Sequence, residues 1–138
     1  MPTTLTRTVS FFALHRLYRP EWSSQQNQET FGPLSEEPPH GHQYSCAVTV
    51  RGGPQAPFDL VVDLAELDRI LQEEVVQPFE GKYINRDHPA FVRTLPTCEA
   101  LAEHLFRRIA PRLPGEAVLE RVRVSEDPSL HADCTGLS

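Results

Sequence analysis

Cysteine is scarce in this chain: three residues in 138, Cys46, Cys98 and Cys134, far apart and with no Cys-x-x-Cys pair. An odd, scattered set excludes a disulfide framework and a thiolate metal site, and reads as three reduced thiols. No apolar run approaches the roughly 20 residues needed to cross a bilayer. The N-terminus lacks a basic patch followed by an apolar stretch and a small-residue cleavage site, so no secretory leader is expected, and the expected location is the cytoplasm. Positive charge is not concentrated either. The 13 lysines and arginines are scattered against 19 acidic residues, net −6, which argues against a nucleic-acid groove. With 39% hydrophobic residues the chain supports one core, and a single domain over 1–138 is expected. Proline, at 13 residues, is plentiful, and several prolines punctuate the periodic segments.

Residues 5–18 are rich in β-branched and aromatic types and predict a strand. Residues 19–39 are polar and proline-containing, a long excursion with a short helix near Ser23–Thr30. Residues 40–51 predict a second strand, with Tyr44, Cys46, Val48 and Val50 in the same parity as His40 and His42. Gly52-Gly53-Pro54 opens a hairpin connection to a third strand at 57–63. Asp63 can cap the helix that follows, where Leu64, Leu67, Leu71 and Val75 form one apolar stripe. Residues 77–95 are irregular. A second helix starts at Pro96-Thr97 with Thr97 as N-cap, Glu99 in its first turn and Leu101, Leu105 and Ile109 on its apolar face. Residues 117–125 alternate strictly and predict a fourth strand ending at Glu126. The expected class is α+β: a four-stranded, mostly antiparallel sheet with two helices on one face. Such a small sheet has exposed edges, and association edge to edge is the simplest way to cover them, so an oligomer is expected.

The chemistry points to His40-Gly41-His42. Side chains at i and i+2 of a strand share a face, and Gly41 is expected to leave room between the two imidazoles. His15, inside the first strand pattern, adds a third. Three nitrogens with a fourth position open suit a catalytic zinc, which polarises a carbonyl or activates a water. His-x-His pairs also occur by chance, packed or solvated, so the assignment leans on the surrounding residues. His104 and His131 fit no ligand position and read as surface or packing residues.

Five pieces occur in a specific order over nearly the whole chain: Phe12-Ala13-Leu14-His15; Asn27 through Phe31-Gly32; His40-Gly41-His42-Gln43-Tyr44; Pro96-Thr97-Cys98-Glu99 with Leu101-Ala102; and Val122-Arg123-Val124-Ser125-Glu126. On them the chain resembles the 6-pyruvoyl-tetrahydropterin synthase and 6-carboxytetrahydropterin synthase family. The resemblance implies the tunnelling fold, in which three subunits join sheet edges into a barrel and two trimers stack into a homo-hexamer. It implies a zinc on His15, His40 and His42, and a pterin substrate, 7,8-dihydroneopterin triphosphate. It implies that Glu126 anchors the amino-pyrimidine edge of the pterin, its carboxylate accepting two parallel hydrogen bonds. Thr97 and Cys98 match positions lining the pterin pocket. Read from residues alone, Glu126 is a solvated strand end, Thr97 a helix cap and Cys98 a core cysteine.

The resemblance breaks where protons move. The family uses a cysteine shortly before the histidine triplet and an aspartate-histidine pair after the first helix. Here Leu34 stands at the cysteine, Glu80 at the aspartate and Gly81 at the histidine. One replacement is Glu37, or its neighbour Glu36, on the loop leading to His40. A carboxyl group shielded from water would have a raised pKa suited to acid-base work. Glu80 is the second candidate, and Asp87-His88 could supply the missing pair from a different loop path. The expected activity is a zinc-dependent lyase similar to 6-carboxytetrahydropterin synthase. Two alternatives stay open: a folate-branch enzyme making 6-hydroxymethyl-dihydropterin, and a pterin-binding homologue without catalysis. The pathway also stays open among queuosine-type nucleoside, folate and biopterin synthesis.

Overall fold

The computed structural model describes residues 2–136. β1 (Thr3–His15) and β2 (His40–Gly52) pair antiparallel along their full length, Thr3 opposite Gly52 and His15 opposite His40. β3 (Val118–Asp127) pairs with the other side of β2, and β4 (Leu130–Cys134) with the far side of β3. The sheet is antiparallel, in the order β1-β2-β3-β4. Alternation separates its faces. Phe11 and Ala13 on β1, Tyr44, Cys46, Val48 and Val50 on β2, and Val122 and Val124 on β3 are fully buried. The opposite face carries Thr6, Thr8, Ser10, Gln43, Ser45, Arg123 and Ser125, and there the Thr6 and Thr49 hydroxyls lie 2.8 Å apart in a hydrogen bond.

Two helices cover the apolar face. α1 (Ser24–Phe31) lies apart from them in the excursion between β1 and β2. α2 (Leu64–Leu71) runs on through a π-turn at Gln72–Val76 into a last turn at Gln77–Phe79. Asp63 caps it, its carboxylate accepting the Glu66 amide at 3.2 Å. α3 (Cys98–Ile109) is capped by Thr97, whose hydroxyl accepts the Ala100 amide at 3.1 Å. The predicted stripes face the sheet: Leu67, Leu71 and Val75 from the first helix and Leu101, Leu105 and Ile109 from α3 are fully buried in one cluster with the strand residues. The excursion is itself built around a buried side chain. Asn27 accepts the Arg19 amide at 2.7 Å and donates to the Arg19 and Ser23 carbonyls at 3.0 and 3.2 Å.

One predicted strand is wrong. Residues 57–63 make no strand; only an isolated bridge joins Gln55 and Leu60. The reason is topological. β2 has β1 on one side and β3 on the other, so no edge remains for a hairpin partner. The apolar run is still used, because Val61 and Val62 are buried against the core. The fourth strand is instead β4, formed after an Asx turn in which Asp127 accepts the Ser129 amide at 2.7 Å. Residues 77–95, read as irregular, hold short helical turns at Ile84–Asp87 and Pro89–Phe91.

Segment 80–83 lies along the end of β1. Gly81 donates to the Phe12 carbonyl at 2.7 Å and Leu14 donates to the Lys82 carbonyl at 2.8 Å. Next to it, His88 stacks on Phe79 (centroids 4.7 Å apart) and meets His104 edge-on at 5.0 Å, with Phe91 closing the cluster. His104 is therefore a packing residue, while His131 is exposed. Burial, with His88 adding to it, pushes the His104 pKa down to about 4. The unfolded chain titrates near 6.5 and so binds more protons than the native state as pH falls. The contribution of His104 is intact above pH 6.5 and shrinks between 6.5 and about 4, by about 1 kcal/mol once screening of this partly exposed ring is allowed for. Urea denaturation across that window is expected to show a shallower loss of stability in His104→Asn than in the parent. An unchanged slope would remove His104 as a source of the pH dependence.

Candidate metal centre

Three imidazoles meet where the β1–β2 ladder ends. His15 lies directly opposite His40, and His42 is one pleat further along β2, opposite Ala13. An opposed pair and its diagonal neighbour on one face are within side-chain reach. Ala13 is small and fully buried, so little bulk separates His42 from His15. One ring nitrogen from each of the three falls within 4.8 Å of the others. His15 Nε2 and His42 Nε2 are 3.2 Å apart. Two nitrogens held tetrahedrally at ~2.05 Å from one ion would be separated by ~3.3 Å, so the spacing fits a bound metal.

Gly41 has a different role from the one its place in the triplet suggests. Its own side points to the opposite sheet face, and a Cβ there would lie 2.5 Å from Phe12 Cζ and 2.8 Å from Leu14 Cδ2. The glycine admits Phe12 and Leu14 over the strand; the pleat itself, not the glycine, leaves the histidines side by side.

His15 is 2% exposed and oriented from behind. Its Nδ1 lies 2.9 Å from the Pro96 carbonyl. A carbonyl can only accept, so Nδ1 carries the proton and Nε2 keeps its lone pair for a metal. Pro96 precedes the α3 cap, so the start of that helix sets the tautomer. Burial, partly offset by the Pro96 hydrogen bond, pushes the His15 pKa down to about 4, and burial also lowers that of His40. Neutral imidazole is the form that binds metal.

Glu126 adjoins the triad. It lies within β3, not beyond it, and its side chain is only 17% exposed, so it is not a solvated strand end. Its Oε2 is 3.3 Å from His42 Nε2, and its Oε1 accepts the Cys98 thiol at 3.5 Å. Burial pushes the Cys98 pKa up to about 12, with the Glu126 charge adding to it, so the thiol stays protonated and donates. Cys98 thus brings the first turn of α3 to Glu126, while the Thr97 side chain is used as the helix cap. Two contributors escaped the sequence reading. Pro96 acts through its carbonyl, which no side-chain pattern marks. Tyr44, with its hydroxyl 3.0 Å from His15 Nδ1, was marked by the parity of His42 and by its place in the His40–Tyr44 piece, but not as a partner of His15.

The 6-pyruvoyl tetrahydropterin synthase family matches residues 4–136. The chain belongs to that family. It is 34% identical over 122 residues to human 6-pyruvoyl tetrahydrobiopterin synthase, covering 88% of this chain and 83% of the human one. The Drosophila melanogaster protein of the same name is 32% identical over 124 residues, covering 90% of this chain and 74% of that one. The solved Caenorhabditis elegans 6-pyruvoyl tetrahydropterin synthase superposes with a TM-score of 0.92 at 28% identity, covering 99% of this chain and 97% of that one. The architecture is the tunnelling fold of this family. Family members are metal-dependent lyases acting on pterins. Among the described residues no helix is long and apolar enough to cross a membrane.

The residues that the resemblance set at proton-transfer positions have other partners in the fold. Leu34 is 45% exposed in the turn Gly32–Ser35. Glu80 Oε2 accepts the Phe12 amide at 3.0 Å, and Gly81 adopts φ +73° in the segment paired with β1. Glu37 is 70% exposed and ion-paired to Arg16 at 2.7 Å, so it is not the water-shielded carboxyl group the sequence led one to expect. Glu36 and Glu37 line a groove of about 520 Å³ whose walls include Arg16, Tyr18, Arg19 and Trp22, and no histidine. Asp87 accepts the Tyr83 amide and pairs with Arg86, while His88 stacks on Phe79 and meets His104 of α3, so each is engaged by other partners. Titration with cobalt(II) is expected to give one ion per chain, with the strong visible bands of a tetrahedral site, and His15→Ala should lose them at the same concentration. Retained bands in that variant would take His15 out of the metal set.

Proposed function

We propose that the chain is a zinc-dependent pterin lyase acting on 7,8-dihydroneopterin triphosphate, with the reaction of 6-carboxy-5,6,7,8-tetrahydropterin synthase. The observation that carries this reading is the 3.3 Å contact between His42 of the triad and Glu126. It sets a metal position beside a carboxylate able to accept two hydrogen bonds from a guanidine-like ring edge. In this reading His15, His40 and His42 hold zinc, which three neutral imidazoles and an open position suit. Bound zinc would polarise the side-chain oxygens of the substrate. Glu126 binds the pyrimidine edge, and Cys98 and Thr97 line the ring pocket. Cys98 also steadies Glu126 through its thiol. Glu37 moves the proton, with Glu80 as the second candidate. The reading includes a homo-hexamer of two trimers. The outer edge of β1 from Thr3 to Ser10 and the outer edge of β4 have no strand partner among the described residues and are free to pair between subunits.

A second reading is a pterin-binding homologue without turnover. The exposed Leu34 and the backbone role of Gly81 favour it, because binding needs the triad and Glu126 while the lyase step needs a proton shuttle as well.

The test is incubation of the zinc-loaded protein with 7,8-dihydroneopterin triphosphate and identification of products by mass spectrometry. The expected result is a 6-carboxy product that vanishes in His42→Ala and falls at least ~100-fold in Glu37→Gln. A 6-hydroxymethyl product would assign the folate branch instead. Bound pterin without any product would establish the non-catalytic reading. Full turnover by Glu37→Gln would pass the proton-transfer role to another group.

A further inference from the structure

The geometry points to Tyr44 as a positioning residue for two of the three metal-binding histidines. This inference rests on the metal reading above and deepens it. Tyr44 is fully buried at the base of the triad, two residues after His42 and on the same sheet face. Its hydroxyl lies 3.0 Å from His15 Nδ1. That nitrogen already gives its proton to Pro96, so the tyrosine oxygen is a second acceptor for the same N–H. Two acceptors on one side of an imidazole resist rotation about its χ2 bond and keep Nε2 aimed away from the core. They also raise the electron density of the nitrogen that would bind the metal.

The ring acts separately from the hydroxyl. It meets His15 edge-on with centroids 6.0 Å apart and an interplanar angle of 90°, and His42 at 5.5 Å and 80°. Both imidazoles therefore rest against one rigid aromatic wall. The wall is itself fixed, because Tyr44 stacks on Phe11, its direct cross-strand partner, at 5.0 Å and 9°. One side chain thereby links the apolar core to the relative placement of His15 Nε2 and His42 Nε2.

The test compares Tyr44→Phe, which keeps the wall and removes the hydroxyl, with Phe11→Leu, which keeps the hydroxyl and loosens the wall. Metal affinity is read by chelator competition, and ligand geometry by the visible spectrum of the cobalt(II) form. Tyr44→Phe is expected to weaken metal binding by about tenfold or more and to shift the cobalt bands. Its metal-free melting temperature should stay close to the parent's. Phe11→Leu should lower the melting temperature and, by loosening the wall, also shift the bands. Parent-like affinity and bands in Tyr44→Phe would overturn the part given to the hydroxyl, and parent-like bands in Phe11→Leu the part given to the ring. Should Tyr44→Phe not fold, imidazole ¹⁵N spectra of the zinc-loaded parent decide. Cross-relaxation between a His15 Nδ1 proton and the Tyr44 ring supports the inference, and a His15 protonated on Nε2 overturns it. A parent protein that takes up no metal would instead remove the metal reading itself.

Discussion

The register of β1 against β2 is the constraint on which the rest depends. Thirteen residues pair without interruption, and the same alternation that buries Tyr44, Cys46, Val48 and Val50 turns His40 and His42 to the same face. A slip of one residue would send that whole set to the water side. Each large apolar side chain in the set contributes roughly 1.5–3 kcal/mol by being buried, so the core as a whole forbids the slip. The triad is therefore aimed by hydrophobic burial elsewhere on the same strands. A site carried on strands in this way needs no loop to hold it in shape.

This arrangement has an opposing term. Imidazoles brought together out of water lose hydration, and the depressed pKa values of His15 and His40 record that loss. The neighbouring groups offset part of it. Pro96 accepts the His15 proton, Tyr44 lies against the same nitrogen, and Glu126 lies against His42. Two of those three reach the triad from other elements of the fold. The segment entering α3 supplies Pro96, the first turn of that helix supplies Cys98, and β3 supplies Glu126. Assembly of the centre is thus coupled to docking of that helix on the sheet, which the burial of Leu101, Leu105 and Ile109 drives.

Much of this was legible in the sequence, because it follows short periods. Strand alternation gave β1, β2 and β3 and the shared face of the histidines. Helical spacing gave the stripes of α2 and α3, and Asp63 and Thr97 marked their caps. What escaped depends on partners distant in the chain. The run at 57–63 has strand composition, and only knowledge that both sides of β2 are taken excludes it. β4 is five residues long, too short and too polar for its alternation to stand out. The Pro96 contact is a backbone contact, and the His88–His104 cluster joins residues from separate segments. Glu126 needed its surroundings too, since a carboxylate at a strand end and one against a histidine read the same in sequence.

Gly81 bears on how the departures from the family pattern should be understood. Its φ of +73° lies in the left-handed region, where residues with a Cβ are strained, and its amide is tied to the Phe12 carbonyl. Glu80 beside it ties its carboxylate to the Phe12 amide. The segment is thus committed at both residues to closing the end of the β1 edge. A histidine at 81 would have to strain that turn or release it, so the change at this position involves the backbone as well as a lost side chain. Leu34 differs, because its side chain is half exposed and no core contact requires it to be leucine. The histidine triad and Glu126 sit on strands fixed by the core, whereas Leu34, Glu80 and Gly81 lie on connecting segments with local roles of their own. Such a division lets residues on the connecting segments change while the triad and Glu126 keep their geometry.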